Sequence, residues 1–266
     1  MAKYHAVDGI YRKVAKKYTP VEGVYRNVTK AFEPVDGVYR QYFSSGVPAE
    51  TLAVGDSVYL NLNGYIRKFL VVHQGNPDPA LYDESCSGTW LMLAPYIYDS
   101  SKRWDAGNND YEKSDIHAYL NSDYLALFDD KEQSAIKQVK IPYVKGTYSS
   151  GSVASGANGL STKIFLLSIG EVGGTNSLKK IGACLDYFAT DAQTKRIFTS
   201  DGSTTAYAYY LRNPHSYSGD GRVYHVGTTG AITYDSISTT RPVRPVLILD
   251  SNTPITQDTK GRNIIA

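Results

Sequence analysis

The chain carries the stretch Val58-Tyr59-Leu60-Asn61-Leu62-Asn63-Gly64-Tyr65-Ile66-Arg67-Lys68-Phe69-Leu70-Val71-Val72 at the start of its globular part. Two runs rich in β-branched and aromatic residues flank the pair Asn63-Gly64. A type I′ turn favours the Asn-Gly pair, because both of its central residues adopt a positive φ. The stretch therefore predicts a β-hairpin, and it indicates that antiparallel strands build part of the fold.

Length and charge limit the possible classes of protein. The 266 residues suffice for one sizeable domain with a smaller appendage. Lys and Arg number 28 against 26 Asp and Glu, and a net charge of +2 excludes a strongly basic nucleic-acid binder. No apolar run approaches the roughly 18 residues of a membrane span, and the first residues lack the apolar core of a secretory signal. The two cysteines, Cys86 and Cys184, form no Cys-x-x-Cys pair, and we expect both to be small buried residues.

Three copies of a 14-residue repeat occupy residues 1–43. They begin at Val7, Val21 and Val35, each with an acid–glycine pair followed by an aliphatic residue, Tyr and Arg. The acid–glycine pairs predict turns, and the alternation after them predicts short strands. Because so short a unit buries no core alone, it must pair with its neighbours, another chain or a larger assembly. Eight Lys or Arg against four acids give the segment a charge of +4. We expect an attachment or oligomerisation segment, and the alternative is a solvated β-appendage without a specific role.

Further boundaries follow from composition. Residues 44–53 are expected to be a linker, 54–252 the main domain, and 253–266 a C-terminal tail. Within the domain, Ser114 is expected to cap a helix. The apolar stripe of that helix would consist of Ile116, Leu120, Tyr124 and Phe128. A second short helix is predicted from Lys131 to Val139, ending before Pro142.

Residues 207–240 have an unusual composition. They contain six tyrosines and two histidines among many Ser, Thr and Gly, without a single Lys. This resembles an antibody paratope, in which Tyr supplies contact area and Ser and Gly supply adaptable hydrogen bonds. The candidate ligand-binding residues are Tyr207, Tyr209, Asn213, His215, Tyr217, Asp220, Arg222, Tyr224, His225, Tyr234 and Ser236. The alternative is a polar antiparallel sheet surface with ordinary cross-strand Tyr pairs.

Signatures of catalysis are absent from the sequence. It holds no nucleophile elbow, zinc-protease helix, P-loop or dinucleotide fingerprint. His215 and His225 lie ten residues apart without a third ligand at a convincing spacing, so contact roles are favoured over metal binding. The acidic stretches 76–78 and 105–110 favour turn chemistry over calcium. We therefore expect no enzyme activity, no catalytic residue, no metal and no cofactor.

Three arginines of the C-terminal part are expected to be structural. Arg212, Arg241 and Arg244 would pair with buried carboxylates or donate to backbone carbonyls.

A set of short stretches carries a family resemblance. They include Ser85-Cys86-Ser87-Gly88-Thr89-Trp90-Leu91, Tyr210-Leu211-Arg212-Asn213-Pro214 and Val243-Arg244-Pro245-Val246-Leu247. Others are 73–77, 114–117, 119–121, 136–143, 155–160, 165–168 and 171–173. Together, over roughly residues 54–250, they resemble an uncharacterised domain family common in gut Firmicutes and their phages.

The resemblance carries expectations about fold and function. That family looks like a C-type-lectin-like fold, related to the formylglycine-generating-enzyme branch and to the variable proteins of diversity-generating retroelements. It implies an α+β class for residues 54–252. The N-terminal repeat is similar to repeats of Firmicutes prophage tail proteins. Together these resemblances imply a phage tail-associated receptor-binding protein, made in the bacterial cytoplasm and located in the virion at the tail or the tail fibre tip.

The partners expected from these resemblances are of two kinds. The 207–240 window would bind a host cell-surface protein or glycan, on a face of the kind that retroelements diversify. Residues 1–43 would bind other phage tail proteins, in a homo-oligomer without nucleic acid or membrane insertion. Two alternatives stay open: a structural virion or surface protein with no dedicated ligand site, and a hydrolase of surface glycans that uses Asp220 and Asp235 as paired acids.

Overall fold

The computed structural model of the chain describes residues 46–94, 101–175, 180–199, 204–215 and 220–266 in full, and the strands within residues 4–44 by their backbone alone. Its helices are α1 (Asp115–Tyr119), α2 (Asp130–Ala135) and α3 (Ala192–Arg196). Single helical turns cover Ala49–Thr51, Glu84–Cys86, Tyr111–Lys113, Leu120–Tyr124, Leu125–Leu127 and Asp186–Phe188. No helix in the described part of the chain is long and apolar enough to cross a bilayer.

The N-terminal repeats form three β-hairpins. Their strands are β1 (Tyr4–Val7), β2 (Ile10–Lys13), β3 (Lys17–Val21), β4 (Val24–Val28), β5 (Lys30–Val35) and β6 (Val38–Ser44). The innermost pairs are Val7 with Ile10, Val21 with Val24, and Val35 with Val38. The predicted strands are confirmed, whereas the acid–glycine pairs lie outside the described residues.

Nineteen further strands are described, and most are short. They are β7 (Val47–Pro48), β8 (Ser57–Leu62), β9 (Tyr65–Gly75), β10 (Gly88–Leu93), β11 (Ser101–Lys102), β12 (Val139–Ile141), β13 (Tyr143–Lys145), β14 (Ser152–Ala154), β15 (Leu160–Thr162), β16 (Ile164–Phe165), β17 (Phe198–Thr199), β18 (Ala206–Tyr207), β19 (Tyr209–Pro214), β20 (Arg222–Val226), β21 (Ile232–Ser236), β22 (Arg241–Pro242), β23 (Val246–Leu249), β24 (Pro254–Gln257) and β25 (Asn263–Ile265).

An eight-stranded sheet organises the domain. Its order is β16-β23-β10-β9-β8-β25-β24-β7, and its pairs are antiparallel except for β25 with β8. Strands β8 and β9 form the predicted hairpin, closed by Leu62 and Tyr65. Asn63 and Gly64 between them have φ values of 51° and 83°, which confirms the type I′ turn.

Trp90 in β10 anchors the core. Its ring is fully buried and makes edge contacts with Tyr82 and Phe165, with ring centroids 5.7 and 5.5 Å apart. Its indole N–H donates to the carbonyls of Gly75 and Cys86 at 3.1 and 3.0 Å. The one polar atom of this side chain is thus satisfied inside the core.

The first predicted helix is confirmed. The Ser114 hydroxyl accepts a hydrogen bond from the His117 amide at 3.2 Å, as an N-cap does. Helical turns then run without a break through residues 115–127. The residues of the predicted stripe, Ile116, Leu120, Tyr124 and Phe128, are all buried. The second predicted helix is shorter than expected: α2 ends at Ala135, and Val139 lies in β12.

The expected α+β class and C-type-lectin-like fold are wrong. The chain is mostly β, with 38% strand and 18% helix, and the strands form several small sheets beside the large one. The longest helical stretch has 13 residues, and the other two helices have six and five. Such short helices cover only small parts of the sheets and do not form a layer of their own.

The expected boundaries of the domain also change. The linker 44–53 contains β7, which pairs with β24, and the tail 253–266 supplies β24 and β25. Ile255 and Ile265 are buried in the main sheet. Both ends of the 46–266 region therefore belong to the domain, because these apolar side chains complete its core.

The structural role expected for the arginines is confirmed. Arg212 is fully buried and donates to both carboxylate oxygens of Glu171 and to the carbonyls of Pro142, Leu166 and Ile181. Arg244 donates to the Leu93 and Arg196 carbonyls, and Arg241 pairs with Asp235. Of the two free cysteines, Cys86 is buried as expected, whereas Cys184 is exposed.

Candidate functional site

A three-stranded sheet of β19, β20 and β21 carries most of the predicted binding window. Tyr224 pairs with Tyr234 and Arg222 with Ser236 in antiparallel register. Since cross-strand partners share a face and side chains alternate along a strand, these four residues lie on one face of the sheet. The alternation of side chains thus collects residues of two strands on one surface.

Three of these side chains form a cluster with His215, and we call it the tyrosine–histidine patch: His215, Arg222, Tyr224 and Tyr234. The His215 ring stacks on Tyr234 with centroids 3.8 Å apart and an interplanar angle of 27°. Tyr224 contacts both rings edge-on or tilted, 4.8 Å from His215 and 6.4 Å from Tyr234. The Arg222 guanidinium lies 5.3 Å from the Tyr234 ring centre. Tyr234 stays 40% exposed, so the cluster presents an aromatic surface to solvent.

Hydrogen-bonding groups border the patch. Asp220 accepts from the Ser149 amide at 3.2 Å and from the Ser149 hydroxyl at 2.7 Å. These bonds lower the pKa of the Asp220 carboxyl, so it is ionised at neutral pH. Ser236 and Ser238 hydroxyls lie 2.8 Å apart at the end of β21. The patch therefore combines an apolar centre with a polar border.

Asn109 fixes the backbone of two patch residues by hydrogen bonds. Its fully buried side-chain amide donates to the carbonyls of His215 and Arg222, at 3.2 and 2.9 Å. Its oxygen accepts from the Tyr148 amide at 3.1 Å. The sequence reasoning missed both Asn109 and Ser149, because neither lies in the tyrosine-rich window and no local signal links them to it.

Several predicted binding residues prove to be buried, which corrects their assignment to a contact face. Tyr209 lies on the same face as the patch but is only 2% exposed. Its ring contacts Phe198 of β17, and its hydroxyl accepts from Arg244 at 3.0 Å. Asn213 accepts from the Ile169 amide at 2.7 Å inside the protein.

His215 and His225 are also buried residues of the predicted set. His215 is 7% exposed where it stacks on Tyr234, and His225 is 5% exposed on the opposite face of the sheet. Within the described residues, no group forms a hydrogen bond with the Nδ1 of His225. Burial, together with the nearby Arg241 charge, lowers its pKa to about 4. His225 is therefore neutral at physiological pH and structural rather than exposed.

The remaining predicted residues have mixed settings. Tyr207 in β18 is partly buried against the core, opposite Phe198. Ser236 is partly exposed beside the patch. Tyr217 lies outside the described residues.

The two acids proposed for a hydrolase, Asp220 and Asp235, both accept hydrogen bonds from neighbouring residues. Burial acts to raise the pKa of Asp235, but hydrogen bonds from the Ser236 amide and from Arg241 lower it overall. Asp220 also has a lowered pKa. A general acid needs a raised pKa, so neither carboxyl has the setting of a glycosidase acid.

The acidic stretch 105–110 shows the turn chemistry expected of it. Asp105 Oδ1 accepts from the amides of Gly107 and Asn108 at 2.6 and 3.0 Å, and Asn108 accepts from Asp110. The side-chain oxygens of Asp105 and Asn108 thus accept from backbone N–H groups. In the described part of the chain, no three His, Cys, Asp or Glu side chains gather as they would around a metal ion.

Comparison with known proteins gives one match. A family model described as "Domain of unknown function (DUF6273)" matches residues 87–251, more than half of the chain. It includes the strands of the patch and the loops that hold them. No curated protein and no solved structure matches the chain.

Proposed function

The chain belongs to the DUF6273 family, and we propose that this member is a phage tail-associated receptor-binding protein. In this proposal it acts by recognition alone, and the tyrosine–histidine patch contacts a molecule on the host cell surface. The observation that carries the proposal is the cluster of three rings on paired strands, with Tyr234 40% exposed.

Stacked rings on strands suit recognition for physical reasons. Tyr offers a large amphipathic area with only two side-chain torsions, so its ordering on binding costs little entropy. The contacts of His215 and Tyr224 with Tyr234 hold the ring before any ligand arrives. Such preorganisation favours affinity. The Arg222 guanidinium and the Asp220 carboxylate then supply directional hydrogen bonds around an apolar centre.

The N-terminal hairpins support the attachment part of the proposal. Three hairpins of one repeat precede the domain, and the segment carries a charge of +4. We propose that residues 1–43 bind other tail proteins and bring several copies together in a homo-oligomer of the virion. Several copies would convert weak single-site binding into firm adsorption. The similarity of the repeat to prophage tail repeats motivates the phage assignment.

Adsorption of the labelled full chain to cells of gut Firmicutes tests the proposal. We expect Tyr234→Ala and Tyr224→Ala to weaken adsorption about tenfold or more, as loss of a central aromatic contact does. Tyr65→Ala is the matched control, because Tyr65 is 65% exposed at the β8–β9 turn, away from the patch. Protease treatment of the cells would distinguish a protein receptor from a glycan. Unchanged adsorption of both patch variants would favour the structural alternative without a ligand site.

A further inference from the structure

A concave site distinct from the patch lies beside α3. It is a cavity of about 690 Å³ between the segments 169–175 and 180–184 and the turn that leads into α3. Its size falls within the range of small-molecule sites, roughly 300–1,000 Å³. Four glycines and three alanines contribute to its lining, with the larger apolar side chains of Ile169, Ile181 and Phe188. The lining is therefore mostly apolar, and its small residues leave room for an occupant.

Asn213 gives this cavity a directed polar group. The side chain is only 4% exposed and lines the cavity. Its Oδ1 accepts from the Ile169 amide at 2.7 Å, which fixes the orientation of the amide group. Within the described part of the chain, its Nδ2 donates to no acceptor. A buried amide N–H₂ at the wall of an apolar cavity is a donor for an oxygen of a ligand.

Lys180 adds a positive charge to the same lining. Its ammonium is mostly exposed and lies 3.9 Å from Asp78, a loose ion pair that leaves the ammonium accessible. Lys180 and the Asn213 N–H₂ are both donors, and an acceptor group with negative charge would satisfy both and also complement the ammonium charge. None of the described residues that line the cavity is acidic.

We infer that this cavity binds a small molecule with an apolar body and a single carboxylate. The apolar body lies against Ile169 and Phe188, and the carboxylate accepts from Asn213 Nδ2 and Lys180. The site is independent of the patch and of the proposed adsorption to cells. The two sites are neighbours along the chain, because Asn213 of the cavity lies in β19 and His215 of the patch directly follows that strand.

Cys184 provides a native reporter for this site. Its thiol is exposed and belongs to the cavity lining, whereas Cys86, the other cysteine, is fully buried. Partial burial raises the pKa of the Cys184 thiol, so labelling is measured at one fixed alkaline pH. An occupant of the cavity covers the thiol and slows its modification, while Cys86 stays silent in the folded protein.

The experiment uses the full chain with three probes: 2-naphthylacetate, its neutral analogue 2-naphthylacetamide, and acetate. We expect 2-naphthylacetate to protect Cys184 from a maleimide reagent in a saturable manner. The neutral analogue should require about tenfold higher concentration, because it loses the charge-assisted bonds. Acetate, which has no apolar body, should not protect. No protection by 2-naphthylacetate would overturn the proposal, and equal protection by the neutral analogue would overturn the carboxylate assignment.

Variants locate the bound probe. Asn213→Asp keeps the acceptor for the Ile169 amide but replaces the donor with a negative oxygen, so protection should be lost. Ala189→Trp places a large ring in the exposed rim of the cavity and should also abolish protection, with Thr194→Trp, exposed and outside the lining, as its control. Circular dichroism checks that each variant is folded. Wild-type affinity in Ala189→Trp would place the probe elsewhere and overturn the proposal even if Asn213→Asp does not fold.

Discussion

Arg212 and Glu171 form a bidentate ion pair without any exposed surface, with Arg212 Nη2 2.6 Å from Glu171 Oε1. The Tyr82 hydroxyl donates to the same carboxylate at 2.6 Å, and the Ser168 amide donates at 2.7 Å. The carboxylate therefore links β19 to segment 168–171 and to Tyr82, and its removal would leave a guanidinium unpaired in the core.

Glu171→Gln should lower the free energy of unfolding by about 3–5 kcal/mol, because it leaves the buried Arg212 charge without its counter-ion. Chemical denaturation at neutral pH measures this change. Asp258→Asn is the matched control, since Asp258 pairs with Arg262 at the surface, where ion pairs contribute little. A similar loss in both variants would contradict the role given to the buried pair.

Stability should fall as the pH falls from about 6.5 to 4, because His225 must gain a proton on unfolding. Its pKa in the folded state is about 4, and that of an unfolded His is about 6.5. The folded state holds fewer protons in this range, so the stabilisation is complete above pH 6.5 and is lost toward pH 4. The difference between the folded and unfolded pKa of His225 corresponds to about 3 kcal/mol in the free energy of unfolding.

His225→Gln tests this assignment, because Gln does not titrate. Denaturation of both proteins at pH 7 and pH 4.5 should show a smaller pH effect in the variant. Arg241 and Asp235, the charged groups near His225, are present in both proteins. An equal pH effect in both would assign the titration to other groups.

Gly230→Ala should destabilise the protein more than Gly261→Ala. Both glycines have a positive φ, 76° and 72°, so each variant carries the same backbone strain of about 1–2 kcal/mol. A Cβ at Gly230 would lie 2.0 Å from the Gln193 carbonyl oxygen, whereas nothing lies within 4 Å at Gly261. Crowding should add about 1–3 kcal/mol at Gly230 alone. Thermal melts of the two variants measure the difference, and equal losses would argue against the contact.

Asn109→Ala should weaken both stability and the patch. It removes the donor to the His215 and Arg222 carbonyls and the acceptor for Tyr148, at a cost of about 2 kcal/mol. Asn109→Asp retains the acceptor but turns a carboxylate oxygen toward these two carbonyls at a fully buried position. We expect the cell adsorption of both variants to fall, and thermal melts to show Asn109→Asp at least as destabilised as Asn109→Ala. Full adsorption by a destabilised Asn109→Ala would show that the patch does not depend on this support.

Local features of the fold were predictable from sequence. The Asn63-Gly64 turn and the Ser114 cap each depend on the chemistry of one or two residues, and both have the predicted form. The fold class was not predictable in this way. The helix expected to reach Val139 ends at Ala135, where the chain enters β12 and pairs with β15. That pairing depends on residues about 20 positions away, which a local pattern does not contain.

The candidate site was predictable only in part, because some of its contacts come from distant segments of the chain. Composition identified His215, Tyr224 and Tyr234, because strand alternation gathers side chains of one sequence window. It did not distinguish Tyr224 from Tyr209 on the same face, since Arg244 and Phe198 from other segments cover Tyr209. Asn109 is separated from His215 by 106 positions, and only the tertiary structure brings it under the patch.

The pairing of β7 with β24 has a mechanical consequence. If residues 1–43 are fixed to a larger assembly, tension on the domain enters through β7, whose partners are Ile255 and Pro254. The amides of Ala49 and Glu50 continue this contact toward Thr253 and Ser251. Pulling would thus load the C-terminal strands first, and β25, hydrogen-bonded between β24 and β8, would pass the load to the centre of the sheet. The domain would therefore stay folded under tension as long as β24 and β25 keep their pairing with β7 and β8.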